Sequence, residues 1–141
     1  MGLPLALMQL AAAQGGCVTR SQLVEFGIST RTIERMTSAG AMDLATAGVY
    51  RLLPSKGWRD DVRAAIVALP GAVVSHHSAA AMLGFPRLKP LAVVSVHTRT
   101  THEFPGVCVR RTHDVAPEHV QQLDRIPVTT APRTVVDLAA V

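Results

Sequence analysis

Three short stretches at the start of the chain place apolar residues at helical spacing, and each stretch ends at a glycine. The first runs over residues 3–14 and stops at a Gly-Gly pair, the second stops at Gly27 and the third stops at Gly40. The pattern therefore predicts three consecutive helices. The residues expected to face their common core are Leu3, Leu7, Leu10, Ala11, Leu23, Val24, Phe26, Ile33 and Met36.

The starts of the second and third helices carry recognisable capping signals. Thr19 followed by Gln22 is the pattern of a capping box, and Ser29 is a good N-cap for the third helix. Ile28 and Ile33 stand at the two positions of a hydrophobic staple around that cap. Only "GIS" separates the two helices, and such a short turn predicts the steep crossing of a helix-turn-helix.

After Gly40 the hydrophobic period changes from that of a helix to that of a strand. The stretch "AMDLATAGVYRLL" alternates apolar and polar residues on both sides of "TAG", which predicts a β-hairpin. Three helices followed by a hairpin predict a winged helix-turn-helix over residues 1–56, with Arg51 on the wing or its return strand.

The second half, residues 57–141, predicts a small mixed α+β unit. "WRDDVRAAIVALP" has the pattern of a helix with Val62, Ile66 and Leu69 inside, "AVV" that of a short strand, and Ser75 is expected to cap the helix in "HHSAAAMLGF". "LAVVSVHT" and "GVCVRRTH" predict two strands joined by "RTTHEFP". "IPVTT" predicts another strand, and "APRTVVDLAAV" a final helix with Pro132 near its first turn. The fold class expected for the chain is therefore α+β.

The third predicted helix turns a basic, hydroxyl-rich face away from its core. Ile33 and Met36 face inward, which leaves Thr30, Arg31, Glu34, Arg35 and Ser38 facing out. In a helix-turn-helix this second helix enters the major groove, where Arg can bond a guanine edge and Thr or Ser can reach phosphates. Within residues 1–56 five basic residues stand against three acidic ones. The pattern favours DNA binding over a merely solvated surface.

The composition excludes some classes of protein but does not identify a ligand. A formal net charge of +4 and a pI near 9.8 are compatible with a polyanionic partner. No apolar run has the length of a membrane span, and the apolar start lacks the basic residues of a secretory signal. Cys17 and Cys108 are in no metal or redox spacing, so two free thiols in a cytoplasmic protein are expected.

Neither metal binding nor catalysis has a recognisable motif. The six histidines match no zinc signature, and the adjacent His76 and His77 cannot easily share a metal because they point in different directions on a helix. One of the pair is expected to pack and the other to be exposed. Phosphate-loop, nucleophile and nuclease patterns are also absent from the sequence. We therefore expect no enzyme activity, no cofactor and no metal.

Three stretches of the chain resemble a known family. "GGCVTRSQLVEFGISTRTIERMTSAGAMDLATAGVYRL" resembles the N-terminal winged helix of AbiEi-type antitoxins of type IV toxin–antitoxin systems. "VVSHHSAAAMLGF" and "IPVTTAPRTVVDLA" are similar to segments that follow this winged helix in many actinobacterial members. The resemblance covers nearly the whole chain.

The resemblance implies a bacterial transcriptional autorepressor. Such antitoxins bind repeats in their own promoter through the winged helix and counter a nucleotidyltransferase-like toxin. The partners implied here are double-stranded DNA and such a toxin, with no membrane. Carried over by position, the expected DNA contacts are Arg20, Ser21, Thr30, Arg31, Thr32, Arg35 and Arg51.

Two other functions stay open at the level of sequence. In many similar chains a Vsr-like endonuclease domain follows the "DLA" helix, so this chain could be the DNA-targeting module of such a protein. It could also be a protein-interaction domain without DNA binding. A nuclease pattern downstream of residue 141 would favour the first of these, and a neighbouring nucleotidyltransferase gene would favour the antitoxin.

Overall fold

The computed structural model of the chain describes residues 2–91, 93–99 and 106–141. The chain divides into two compact units, Met1–Ala68 and Leu69–Val141. This boundary lies twelve residues beyond the expected one between residues 56 and 57, because the helix at Trp58–Ala68 belongs to the first unit. Within the described residues, no helix is long and apolar enough to cross a membrane.

The N-terminal unit has four helices and a three-stranded sheet. Its elements in chain order are α1 (Leu5–Ala13), β1 (Cys17–Thr19), α2 (Arg20–Glu25), α3 (Thr30–Ser38), β2 (Asp43–Thr46), β3 (Val49–Arg51) and α4 (Trp58–Ala68). The strands are antiparallel in the order β1-β3-β2, so the predicted hairpin forms and β3 is its return strand. Three helices followed by the β2–β3 hairpin give the predicted winged helix-turn-helix, and β1, between α1 and α2, completes its sheet.

The predicted caps at the starts of α2 and α3 are confirmed. The amide of Gln22 donates to the Thr19 hydroxyl over 3.1 Å, and the Thr19 amide donates to Oε1 of Gln22 over 2.9 Å, which completes the capping box. The Ser29 hydroxyl accepts from the amide of Thr32 over 3.2 Å. Gln22 also exchanges two hydrogen bonds with Gln14, so the same side chain joins the end of α1 to the start of α2.

In the core of the N-terminal unit, the apolar sides of the first three helices pack against the sheet. Ile33 is 1% exposed and Leu23 is fully buried, and Ile28 and Met36 pack against the same cluster. Full burial of a side chain such as Ile33 contributes about 1.5–3 kcal/mol to the free energy of unfolding. The buried members of the cluster are Leu7, Ala11, Val18, Leu23, Ile33, Met42 and Tyr50.

Two sequence expectations in this unit are wrong. Val24, predicted to face the core, is 53% exposed, because Leu23 and Phe26 already fill the buried side of the short helix α2. Residues Cys17–Thr19 were not expected to form a strand, but they pair with β3 from Cys17 opposite Arg51 to Thr19 opposite Val49. A three-residue strand is too short to show an alternating pattern, and it forms because β3 offers a free edge.

The glycine pair after α1 allows two backbone segments to approach closely. Gly15 has a φ of 70°, and a Cβ atom added there would lie 2.0 Å from the carbonyl oxygen of Asp60 in α4. Gly16 has a φ of 92°, and its added Cβ would lie 2.3 Å from the carbonyl oxygen of Leu53. Both the backbone conformation and the space therefore require glycine. The first of these approaches is what brings α4 against the three-helix unit.

The described residues of the C-terminal unit form a five-stranded mixed sheet with two helices. Its elements are β4 (Val73–Val74), α5 (His76–Met82), β5 (Val94–Thr98), β6 (Val107–Arg111), a 3-10 turn (Pro117–His119), β7 (Val120–Leu123), β8 (Ile126–Thr129) and α6 (Ala131–Ala139). The strand order is β6-β5-β4-β8-β7, with β5–β6 and β4–β8 parallel and the other pairs antiparallel. The predicted α+β class and mixed sheet are confirmed.

Four details of the second half of the sequence, residues 57–141, differ from the expectation or lie outside the described residues. Ser75 precedes α5 as predicted, but its hydroxyl does not cap the helix and instead bonds Nδ1 of His76 over 2.8 Å. The 3-10 turn and β7 were not predicted, because their polar residues carry no clear period. Ile66, expected inside, is only half-buried, whereas Ala64 and Ala65 fill the buried side of α4. The expected connection "RTTHEFP" falls mostly on residues 100–105, which are outside the described part of the chain.

Candidate functional site

The outward face of α3 carries two arginines that the fold does not use. Arg31 and Arg35 are both exposed, and among the described residues neither side chain has a hydrogen-bond or ion-pair partner. They are four residues apart and therefore lie on one side of the helix, about a turn from each other. Thr30 and Glu34 are exposed on the same helix. Together with the exposed Ser38, the face thus offers two free guanidinium groups, two hydroxyls and one carboxylate.

The hydroxyl of Thr32 is already hydrogen-bonded at the start of α3. The Ser29 hydroxyl donates to Oγ1 of Thr32 over 3.0 Å, and Thr32 is half-buried. Thr32 is therefore less available to a ligand than Thr30, although the sequence had grouped the two together.

At the start of α2, the backbone amides of Thr19, Arg20 and Gln22 are already bonded within the protein. The Arg20 amide donates to the carbonyl of Gly48 over 2.9 Å, and the capping box occupies those of Thr19 and Gln22. Ser21 is exposed and the Arg20 side chain is half-buried with no partner among the described residues. At this position the side chains, more than the backbone, are free to meet a phosphate.

Arg51 lies on the return strand β3, as predicted, but its guanidinium faces the protein. Its Nη1 donates to the carbonyl of Gly15 over 3.3 Å and to that of Leu53 over 3.4 Å, and the residue is half-buried. Arg51 therefore lies at the base of the wing, which is the end of β3 away from the hairpin turn at Gly48, and not at the tip of the wing.

A second group of polar side chains, which we call the His–Asp cluster, lies buried in the C-terminal unit. It consists of His76 on α5, His97 on β5 and Asp137 on α6, which are 8%, 6% and 6% exposed. Nε2 of His97 lies 2.8 Å from Oδ2 of Asp137, and the two imidazole rings are 5.0 Å apart between centroids. Among the six histidines, the sequence had expected one of the His76–His77 pair to pack, and His76 is that residue.

Arg133 extends this cluster to the surface. Its Nε donates to Oδ1 of Asp137 over 2.9 Å, so Asp137 is bonded through both oxygens. Its Nη2 donates to Oδ1 of Asp114 over 3.1 Å, and its Nη1 to the Asp114 carbonyl over 3.2 Å. Nη1 also lies 3.3 Å from Nδ1 of His119. The network therefore links both helices, one strand and the loop before the 3-10 turn.

The surroundings set the charge of two members of the cluster. Burial disfavours the ionised form of Asp137, but the hydrogen bonds from His97 and Arg133 outweigh it and hold its pKa below the ordinary value. Burial lowers the pKa of His76, and the attraction of Asp137 only partly offsets that effect. Asp137 is therefore a carboxylate and His76 a neutral imidazole at pH 7.

The sequence did not reveal this cluster, because its members are brought together only by the tertiary fold. His97 and Asp137 are 40 residues apart. A partial signal existed in the spacing of Arg133 and Asp137, which stand four residues apart on α6 and form an ion pair. His97 also falls within the largely apolar stretch "LAVVSVHT", and a histidine buried there needs an internal partner.

The α3 face on a three-helix unit with a wing defines the class of a winged helix-turn-helix regulator. Residues 6–52 match the family model described as "Transcriptional regulator, AbiEi antitoxin". The N-terminal region of the chain is therefore similar to this family of transcriptional regulators, and the resemblance seen in the sequence is confirmed there.

No curated protein matches the chain. Among solved structures, the chain is similar to the crystal structure of the RV2827C protein from Mycobacterium tuberculosis, at 19% identity and a TM-score of 0.46, over 76% of this chain and 43% of that one. The chain thus spans less than half the length of that protein.

Proposed function

We propose that the chain is a DNA-binding transcriptional autorepressor of the AbiEi type, which reads its own promoter through α3. The observation that carries the proposal is the pairing on one helix of a buried Ile33 with exposed, unpartnered Arg31 and Arg35. Packing fixes the orientation of the helix, so its arginines are held outward without being bound by the protein.

The chemistry of this face suits the major groove of double-stranded DNA. A guanidinium can donate two hydrogen bonds to the O6 and N7 of a guanine, and it can equally neutralise a phosphate. Arg31 is nearer the start of α3 and is the better candidate to read a base, because recognition helices contact base edges with their N-terminal residues. Arg35, one turn later, is assigned to a phosphate.

The remaining candidate residues are given unequal roles. Thr30 is exposed at the start of α3, and Arg20 and Ser21 at the start of α2 supply side chains to the flanking backbone. Thr32 and Arg51 bond within the protein, so we assign them to holding the N-cap of α3 and the base of the wing. This division narrows the expected DNA contacts to Arg20, Ser21, Thr30, Arg31 and Arg35.

A gel shift of the purified chain against the region upstream of its own gene tests DNA binding. We expect a specific complex that survives an excess of random duplex and is lost when Arg31 and Arg35 are both changed to Ala. The matched control is the change of Arg59, an exposed arginine on α4, to Ala, which should leave the shift in place. A shift that is equal for all three proteins would contradict the proposed face.

The antitoxin role is a separate part of the proposal and rests on the family resemblance. Co-expression with a neighbouring nucleotidyltransferase-like gene should relieve the toxicity of that gene. If DNA binding is found but no such relief occurs, the regulator is retained and the antitoxin role is lost.

A further inference from the structure

We propose that the His–Asp cluster is a binding site for a transition-metal ion of the zinc class, held by His76, His97 and Asp137. One donor atom from each of the three residues lies within 4.8 Å of the others, and all three residues are buried. The site belongs to the C-terminal unit and is independent of the proposed DNA face.

The first supporting observation is a nitrogen that the fold leaves without a partner. Nδ1 of His97 is a buried polar atom with no hydrogen-bond partner among the described residues, although the residue is only 6% exposed. Buried polar atoms of this kind are rare, and each needs an explanation. Nε2 is the nitrogen that faces Oδ2 of Asp137, so an ion held by both residues replaces the proton between these two atoms. Nδ1, which no partner fixes as an acceptor, then carries the ring proton.

The second observation concerns how the ring of His76 is placed. His76 has a φ of 52°, in the left-handed region that a residue with a bulky side chain rarely occupies. This conformation accompanies the packing of its ring against that of His97. Strained backbone of this kind persists where the surrounding structure requires it, and it collects at functional sites.

The third observation is that each ligand is already oriented by a neighbour. The Ser75 hydroxyl bonds Nδ1 of His76 over 2.8 Å, which leaves Nε2 of that ring as a donor atom. Arg133 bonds Oδ1 of Asp137 and leaves Oδ2 on the side of His97. Hydrogen bonds of this type fix the ligands of protein metal sites. Asp114, in an ion pair with Arg133, offsets the positive charge beside the site.

The kinds of ligand atom in the cluster determine which metal ion it would bind. Two imidazoles and one carboxylate suit zinc and its neighbours, whereas Mg²⁺ and Ca²⁺ prefer oxygen ligands. Metal–ligand distances of about 2.0–2.2 Å place tetrahedral donors roughly 3.3–3.6 Å apart, so the widest pair must close by up to about 1.5 Å on binding. Water would complete the coordination. His97 lines one cleft of about 370 Å³, and Asp137 lines another of about 540 Å³.

The test is metal binding by the purified chain, stripped with a chelator and then dialysed against Zn²⁺ or Co²⁺. We expect one equivalent of Zn²⁺ per chain, a rise in melting temperature, and for Co²⁺ the intense visible absorption of a tetrahedral site. His76→Gln and His97→Gln should each weaken binding by more than the roughly 10–100-fold that follows the loss of an outer-shell partner. The matched control is His77→Gln, on the same helix but outside the cluster, which should bind as the wild-type chain does.

Circular dichroism shows whether each variant is folded. His76→Gln removes a ligand but leaves the hydrogen bond between His97 and Asp137 in place, so we expect this variant to fold. No stoichiometric Zn²⁺ in the folded wild-type chain would overturn the proposal. Undiminished binding by folded His76→Gln, or a loss of binding in His77→Gln equal to that in His76→Gln, would also overturn it. None of these results depends on DNA binding, so the two proposals can fail separately.

Discussion

Arg31 and Arg35 on α3 differ from Arg133 on α6 in whether the guanidinium group is bonded within the protein. The first two are exposed and have no partner among the described residues, whereas the side chain of Arg133 is 11% exposed and bonds Asp137 and Asp114. A charge that the fold has already bound is not free for a ligand, and its removal destabilises the protein. A charge left in solvent contributes little to stability and remains available.

This comparison predicts that substitutions in the two units will change different properties of the protein. Changes within the His–Asp cluster should lower the free energy of unfolding, and changes on the α3 face should lower DNA affinity while the fold stays intact. The predictions below run from the largest expected change in free energy to the smallest.

The largest effect is expected for Asp137→Ala. The substitution leaves the largely buried Arg133 guanidinium and His97 ring without their shared carboxylate, and breaking a buried pair in this way costs about 3–5 kcal/mol. Denaturant unfolding, followed in the C-terminal unit, measures it. Glu118→Ala, which removes an exposed carboxylate from the 3-10 turn, is the control and should change stability by less than about 0.5 kcal/mol. Equal effects would mean that the network does not hold the unit together.

The next largest effect is expected for Ile33→Ala. Ile33 is 1% exposed in the core of the N-terminal unit, and truncation of such a side chain costs about 2–5 kcal/mol. The change tests whether α3 is oriented as described, since its neighbours on the helix are exposed. Thr30→Ala should shift the unfolding midpoint little. A stable Ile33→Ala protein with a destabilised Thr30→Ala protein would mean that the helix is rotated.

A smaller effect is expected for Thr19→Ala at the start of α2. The hydroxyl caps the helix as one half of a capping box, and loss of such a cap costs about 0.5–2 kcal/mol. Thr19→Ser keeps the oxygen and should restore most of the loss. If Ser does not rescue the stability measured by thermal unfolding, the methyl group and not the cap is what Thr19 contributes.

How far the sequence alone could go depends on the range of the interactions involved. The capping box, the cap at Ser29 and the burial of Ile33 rest on residues three or four apart, and the sequence predicted all of them. The exposure of Arg31 and Arg35 follows from the same periodicity. β1 and the His–Asp cluster were missed because they depend on pairing with residues far along the chain.

The position of the boundary between the units illustrates the same limit. α4 was predicted as a helix from its apolar spacing, but its place in the first unit depends on the contact of Gly15 with the Asp60 backbone. Arg51 was also placed on the correct strand, yet its bonds to the carbonyls of Gly15 and Leu53 follow from the turn that surrounds it. Local pattern predicts which element a residue occupies, and the fold decides what its side chain contacts.

The central claim, that α3 is a DNA-reading helix held by its buried side, is tested most directly by a salt titration of operator and random duplex binding with Arg31→Ala and Arg35→Ala. We expect Arg31→Ala to cost about 1–3 kcal/mol on the operator and to relax preference at one base position. Arg35→Ala should weaken both duplexes alike and reduce the salt slope by about one unit. Both variants should keep the wild-type melting temperature. Unchanged affinity in both, or a large fall in melting temperature, would contradict the account.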